Sequence, residues 1–480
     1  MNKPIGRLFI VSLLMFGALL VSTSWWTVLR ADSLNNDYAE LNKRSLLRSL
    51  KIRRGTIRDA DGGVIARSVR GKDGVYRRTY PQNDRFGHPV GYSYVTIGQS
   101  ELEAFYDDDL TGQENALTTT FDQLLGKQRD GRNVLTSLDP TAQRIAQEGI
   151  LRAGESGAAV ALDPRTGAIK VMASVPGYDP NEVRDPKALA AANRDETHKP
   201  LVNRTVQFGY APGSTFKVVT ATAALDSGKF TPNSTVDGSN DVKISGVPLA
   251  NDFNQSFGQV DLTTALTKSI NTVWAQVGES LGKATMRKYM RRFGFEAKPH
   301  LDYPANAMSS SGAYRNGRLI PATSPFVDVG RMAIGQDKLS VVPLQMAQVA
   351  AAVANGGKLM KPRIASRIVD RDGRTTDRIE PEVQSQVMKP QTASAVRDMM
   401  ISVVNNGTGT QAKIPGVQVA GKTGTAETQI GTRINDVWFI AFAPAEAPRI
   451  AVAVTVAKAP GFGGDIAAPI ARDIMEELLK

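Results

Sequence analysis

The hydrophobic pattern changes period several times along the chain. Residues 8–29, LFIVSLLMFGALLVSTSWWTVL, run 22 positions without a charge. At about 1.5 Å per helical residue such a segment reaches about 33 Å, enough to cross a bilayer. A polar, helix-compatible stretch follows (31–50), then short β-like pieces punctuated by Gly and Asp, RRGTIRDADGGVIARS at 53–68 and VYRRTYP at 75–81. These predict a small extended module. In LTSLDPTAQRIAQEGILRAG (135–154), Asp139 is placed as N-cap, Pro140 as the first helical residue and Gly154 beyond the end, which predicts a connecting helix.

At residue 157 the pattern turns to strands. GAAVALD and AIKVMASV, joined by DPRTG, predict a hairpin. From about 184 to 415 the periodicity is mainly helical, including one helix from 214 and another through LTTALTKSINTVWAQVGESLG. Three strand candidates close the chain, at 416–427, 435–444 and 449–458, followed by the helix APIARDIMEELLK. Strands at both ends of a domain with helices between them imply an α+β sheet completed by distant segments. The expected organisation is a short N-terminus (1–7), a membrane anchor (8–29), a non-catalytic module (30–154) and a main domain (155–480).

Lys3 and Arg7 precede the apolar run, so the positive-inside tendency puts the N-terminus in the cytoplasm and the bulk of the chain outside, with Trp25 and Trp26 at the far interface. Ser22 to Ser24 form no clean small-residue cleavage site before the tryptophans, which favours an uncleaved anchor over a signal peptide. No cysteine is present, which removes disulfides, lipid anchoring through Cys and thiolate ligation of zinc. Only His88, His198 and His300 occur, widely scattered, so neither a metal nor another cofactor is expected. The net charge of +11 is dispersed, without the aromatic-interleaved stripe of a nucleic-acid binder, and suits anionic lipids or envelope polymers.

The chemistry begins at APGSTFK (211–217). Ser214 and Lys217 stand three residues apart, so hydroxyl and amine share a helix face, and an amine dried by apolar neighbours can act as a base. The spacing alone is weak, because Ser280 and Lys283 repeat it; S-x-N occurs both at Ser33/Asn35 and at Ser269/Asn271. Lys422-Thr423-Gly424 is rarer and sits in a predicted strand, where lysine and glycine have no packing reason to be. Only Ser214/Lys217, Ser269/Asn271 and Lys422–Gly424 fall in the order S-x-x-K, S-x-N, K-T-G, the motif set of penicillin-binding proteins and class A β-lactamases.

With RRGTIRD and VIA (53–66), AAVALDPRTGAIKVMAS, YDPN (178–181), IGQDKLSVVPLQMA (334–347), NNGTGT (405–410) and DVWFIAFAP, the chain resembles class B penicillin-binding proteins, most closely their shorter actinobacterial A type. The resemblance implies a penicillin-binding fold, an antiparallel sheet flanked by helices plus an all-helical lobe. It also implies peptidoglycan DD-transpeptidase activity through an acyl-enzyme on Ser214, in cell division or cell shape.

By that resemblance Lys217 is the general base, Ser269 relays a proton to the leaving amine, and Asn271 holds Lys217 and accepts the substrate amide. Lys422 supplies positive charge, Thr423 and Thr425 receive the substrate carboxylate, and the backbone N–H groups of Ser214 and Thr425 form the oxyanion hole. Gly424 is expected to leave room for substrate along the strand edge. Ile270 departs from the small residue common between Ser and Asn, and its side chain is expected to point away from the site. The implied ligands are pentapeptide stems and β-lactams, and the implied partners a membrane glycan polymerase and division or elongation proteins.

A class A β-lactamase also needs a Glu followed four residues on by Asn. Glu279, Glu296, Glu380 and Glu382 are followed at that spacing by Lys, His, Gln and Gln. A separate glycosyltransferase domain does not fit between residues 30 and 150. A carboxypeptidase differs only in its acceptor, and a catalytically silent scaffold would not need every motif position filled.

Overall fold

The computed structural model describes residues 3–25, 50–112, 131–427 and 434–480. They fall into two compact units, one within 1–53 and 70–77, the other within 54–69 and 78–480. The first contains the helix Lys3–Ser24, exposed over nearly all its length; its part Pro4–Ser24 is long and apolar enough to cross a membrane. The helix begins earlier than the apolar run, because nothing in Lys3–Arg7 stops it. Residues 26–29, Trp26 among them, and nearly all of the polar stretch 31–50 lie outside the described residues.

The second unit is built on a five-stranded antiparallel sheet in the order Ala420–Glu427, Ile434–Ala443, Ile450–Pro460, Gly157–Leu162, Ile169–Val175. The expected hairpin at 157–175 and the three C-terminal strands are all present, and the chain's last third pairs directly with residues 157–162. Alternation along the strand Ile434–Ala443 explains the two cores. Val437, Phe439 and Ala441 face the helices Pro140–Ala153 and Ala467–Leu479, while Trp438, Ile440 and Phe442 face the buried helix Pro343–Ala354. Each buried Phe, Ile or Val contributes roughly 1.5–3 kcal/mol, so both faces hold the sheet in place. The connecting helix is capped as expected, Asp139 Oδ1 accepting from Thr141 N (3.0 Å) and Ala142 N (2.8 Å).

The N-terminal module does not close on itself. Its strand Asn133–Thr136 pairs in parallel with Ile57–Arg58 and, on its other edge, with Ala365–Val369, which in turn pairs with Thr375–Arg378. The expected division at 154/155 is therefore crossed by a returning arm from the main domain. Val134, fully buried opposite Ile368, gives the edge strand an apolar residue that needs this cover. A buried carboxylate knits the module: Glu103 accepts Arg54 Nε (2.7 Å), Arg78 Nε (2.6 Å) and Tyr80 OH (3.1 Å).

The stretch 184–415 is less helical than its periodicity predicts. Hairpins at Val242–Ile244/Val247–Leu249 and Gly312–Arg315/Arg318–Ile320 interrupt it. Ser245-Gly246 and Asn316-Gly317 make their turns with positive φ at both residues, as two-residue hairpins of this hand require.

Candidate active site

Ser214 sits on a 3-10 turn, Gly213–Phe216, and the α-helix proper starts at Lys217 and runs to Asp226. The single helix expected from 214 is therefore two pieces. In a 3-10 turn residues three apart eclipse, which sets Ser214 and Lys217 on the same side. The turn is fixed from all directions. Thr215 Oγ1 donates to Pro212 O (2.7 Å), Trp438 Nε1 to Ala211 O (2.9 Å) and Gly213 N to Gly335 O (3.0 Å). Gly213 and Gly335 have φ of 52° and 83°, and a Cβ on Gly335 would fall 1.8 Å from Gly213 O, so backbone meets backbone here.

The helix expected through 262–282 is broken at Ser269, whose φ is 60°, separating Leu262–Thr267 from Asn271–Arg292. That left-handed residue turns the chain so that the Ser269 hydroxyl faces both buried lysines. Asn251 Oδ1 holds the new helix start, accepting from Thr272 N (3.0 Å) and Thr272 Oγ1 (3.1 Å). Ile270 is buried in the apolar core, so its bulk is absorbed there.

Lys217 Nζ, wholly buried, donates to Asn271 Oδ1 (2.6 Å), Ser269 O (2.7 Å) and Ser269 Oγ (3.3 Å). Its hydrogen bonds thus go to the S-x-N residues, while Ser214, half-buried, lies in the turn that leads into Lys217. Lys422 Nζ, also wholly buried, donates to Ser269 Oγ (2.9 Å), Thr423 O (3.0 Å) and Thr423 Oγ1 (3.4 Å). Ser269 Oγ is the shared acceptor of both amines. Burial pushes Lys217 down to about 7, opposed by Asp252. Burial drives Lys422 well below its ordinary value too, with repulsion from Lys217 adding and Asp252 opposing. Two ammoniums on one hydroxyl in a dry site are costly, so the pair carries fewer than two protons at neutral pH.

The K-T-G strand lies against the serine turn. Thr423 Oγ1 is 2.6 Å from Thr408 Oγ1, and Thr425 Oγ1 accepts from Gly463 N at 3.4 Å. A Cβ on Gly424 would meet Pro212 O at 2.8 Å, Thr215 Cγ2 at 2.9 Å and Trp438 Cβ at 3.0 Å. Glycine is thus required for strand and turn to touch, a reason internal to the fold. The duplicate motif has no such setting: Ser280 is exposed, its carbonyl accepts from Lys229, and Lys283 Nζ donates to Ser324 O (2.8 Å). Glu279 accepts from Ser245 N (2.7 Å) and Glu296 from Arg287 Nε (2.8 Å), so both are committed to structural contacts. Among the described residues no three His, Asp or Glu gather into a metal-binding group.

Two family models match this chain, the penicillin binding protein transpeptidase domain over residues 157–476 and the penicillin binding protein A dimerisation domain over residues 54–134. The chain belongs to the penicillin-binding protein transpeptidase family. Among its relatives, the peptidoglycan D,D-transpeptidase PbpA of Mycolicibacterium smegmatis is 32% identical over 509 residues, covering 100% of this chain and 99% of the relative. PbpA of Mycobacterium tuberculosis is 32% identical over 503 residues, covering 100% and 99%. The solved ceftriaxone acyl-enzyme complex of penicillin-binding protein A from M. tuberculosis superposes with a TM-score of 0.81 at 31% identity, covering 90% of this chain and 100% of that one. The D,D-transpeptidase domain of a peptidoglycan glycosyltransferase from Eggerthella lenta gives 0.78 at 32% identity, covering 89% and 98%.

Within this penicillin-binding protein, the motifs located Ser214, Lys217, Ser269, Asn271 and Lys422 but not the residues that hold them. Asn251, Asp252, Gly335, Thr408 and Trp438 reach the site through tertiary contacts. Gly335, Thr408 and Trp438 lie within the quoted segments IGQDKLSVVPLQMA, NNGTGT and DVWFIAFAP, and nothing in their spacing points to the serine turn or to Thr423.

Proposed function

We propose that the protein is a serine-type peptidoglycan D,D-transpeptidase that β-lactams inhibit covalently at Ser214. The observation that carries this reading is the buried lysine pair on Ser269 Oγ beside the Ser214 turn, with Lys217 held near neutrality. Neutral Lys217 takes the Ser214 proton as Oγ adds to the carbonyl of the penultimate D-Ala of a pentapeptide stem. The tetrahedral oxyanion is received by the backbone N–H groups of Ser214 and Thr425. Ser269, between the two amines, passes a proton to the departing D-Ala nitrogen as the C–N bond breaks. The acyl-enzyme ester is then attacked by an amine of a neighbouring stem, which forms the cross-link, and the proton released from that amine restores Ser214.

In this reading Asn271 orients Lys217 and presents its amide to the donor chain, while Lys422, Thr423 and Thr425 favour the terminal carboxylate. The donor lies as an added strand along the K-T-G edge. The helix Lys3–Ser24 anchors the chain with its N-terminus in the cytoplasm and the catalytic unit outside, where the substrate is. A membrane glycan polymerase and proteins of the division or elongation machinery are its proposed partners, with the anchor and the 30–154 module as the contact surfaces.

The test is covalent labelling with fluorescent penicillin. Wild type takes a persistent label and Ser214→Ala takes none; an unlabelled wild type, or rapid turnover of a chromogenic cephalosporin, refutes the assignment. Protease added to intact protoplasts should remove the catalytic unit, and a protected catalytic unit would overturn the orientation.

A further inference from the structure

Residues 250–254 run past the Asn271 helix start, and Phe253 and Asn254 both take left-handed backbone, with φ of 57° and 54°. Residues bearing a Cβ keep such conformations only where their surroundings impose them. The imposing residue is Asn251, which is buried. Its Nδ2 donates to Gly238 O (3.0 Å) and Gln255 O (2.9 Å), while its Oδ1 caps the Asn271 helix. Beyond this pin, Asp252 Oδ1 accepts Asn271 Nδ2 at 3.1 Å.

The ring of Phe253, 75% exposed, meets that of Phe462 with centroids 5.5 Å apart. Phe462 is 42% exposed and belongs to the loop after the strand Ile450–Pro460. Its neighbour Gly463 lies flat on the K-T-G strand, where a Cβ would fall 2.4 Å from Gly424 O. Segment 250–254 therefore reaches from the S-x-N residues to the loop that lies on the K-T-G strand. Two large apolar rings left in solvent contribute little to a core, and the amide donor that a substrate chain needs is already taken.

We propose that residues 250–254 are a substrate-displaceable strap. At rest, Asp252 occupies the Asn271 amide donor and Phe253 closes the cleft mouth on Phe462, and the acyl-donor peptide enters by displacing both. Asp252 is a positioning residue: it orients Asn271, whose Oδ1 holds Lys217, and its charge faces the amine pair of Lys217 and Lys422. This proposal rests on the acyl-transfer reading above.

The experiment measures the second-order rate of acylation by fluorescent penicillin, using the full chain in detergent. Phe253→Ala and Phe462→Ala each raise the rate roughly three- to tenfold, the equivalent of one aromatic pair contact, and the double variant is no faster than either single one. Asp252→Asn moves the acidic limb of the rate–pH profile down by roughly half to one unit, because the lost negative charge had favoured the protonated amines. Slower or unchanged labelling in either Phe variant, additive effects, or an unmoved profile overturns the strap. Wild type that takes no label overturns the acyl-transfer reading and the strap with it.

The chain has no cysteine, so the converse can be read cleanly. Phe253→Cys combined with Phe462→Cys, bridged by a bifunctional thiol reagent, stops labelling. Labelling through the bridge at the unbridged rate refutes the gate.

Discussion

Replacing Lys217 by Met tests whether this amine is held short of a proton by the fold. The side chain is wholly buried and its proton affinity is lowered from 10.5 to about 7, chiefly by burial. At about 1.36 kcal/mol per pH unit this gap corresponds to about 5 kcal/mol. In the unfolded chain Lys217 binds its proton up to about pH 10.5; in the folded protein it has lost it above about 7. Between these values the unfolded state binds more protons, so wild-type stability rises with pH; below pH 7 the full cost is present. Met carries no such cost at any pH.

The difference in unfolding free energy, wild type minus Lys217→Met, should therefore climb by about 1.36 kcal/mol per unit between pH 7 and 9.5. Losing the amine also leaves Ser269 O and Asn271 Oδ1 without their donor, which costs the variant about 1–3 kcal/mol and shifts the offset but not the slope. Urea unfolding of both full-length proteins in one detergent, at half-unit steps of pH, gives the slope directly. A flat difference would mean that Lys217 keeps its proton inside the fold, and the neutral-base assignment would fail.

Acylation by penicillin in wild type should rise through an apparent pKa near 7 as Lys217 loses its proton, seen in stopped-flow labelling from pH 5 to 8.5. Trp438→Phe removes the Nε1 bond to Ala211 O and loosens the serine turn; labelling should slow by roughly tenfold, equivalent to about one hydrogen bond, and because the ring is fully buried the melting temperature should fall as well. Glu103→Ala leaves buried Arg78 without a carboxylate and Arg54 with Asp107 alone, and should destabilise the module by about 3–5 kcal/mol, measured by chemical unfolding. Gly335→Ala forces a Cβ into Gly213 O and should abolish labelling while far-ultraviolet circular dichroism stays native-like.

The main sheet was legible because its strands, apolar on both faces, read as short near-continuous runs of Val, Ile, Phe and Ala between turn residues. The connecting helix was legible because Asp139, Pro140 and Gly154 punctuate it. The helical lobe was overread. Ser245-Gly246 and Asn316-Gly317 are local turn signals that should have split it, since glycine second in a two-residue turn costs little at positive φ.

Ser269 carries no such signal: a serine at φ 60° is set by the contacts of its hydroxyl and carbonyl with Lys217 and Lys422, not by its neighbours in sequence. The arm 365–378 escaped for a related reason, because which edge strand it covers is decided by Val134, more than two hundred residues earlier. The motif order S-x-x-K, S-x-N, K-T-G was readable, yet it could not tell that Gly424 exists to let strand and turn touch.

The pairing of residues 157–162 with Ile450–Pro460 fixes when the enzyme can first exist. A chain made from its N-terminus carries Ser214, Lys217 and Ser269 long before Lys422, and the sheet cannot close until residue 460 has been synthesised. Until then Lys217 is solvated and keeps its ordinary proton, so in the proposed mechanism Ser214 has no base. Formation of the site thus waits for the chain's end: the last fifty residues act as the arming step for a serine placed in the first half of the chain.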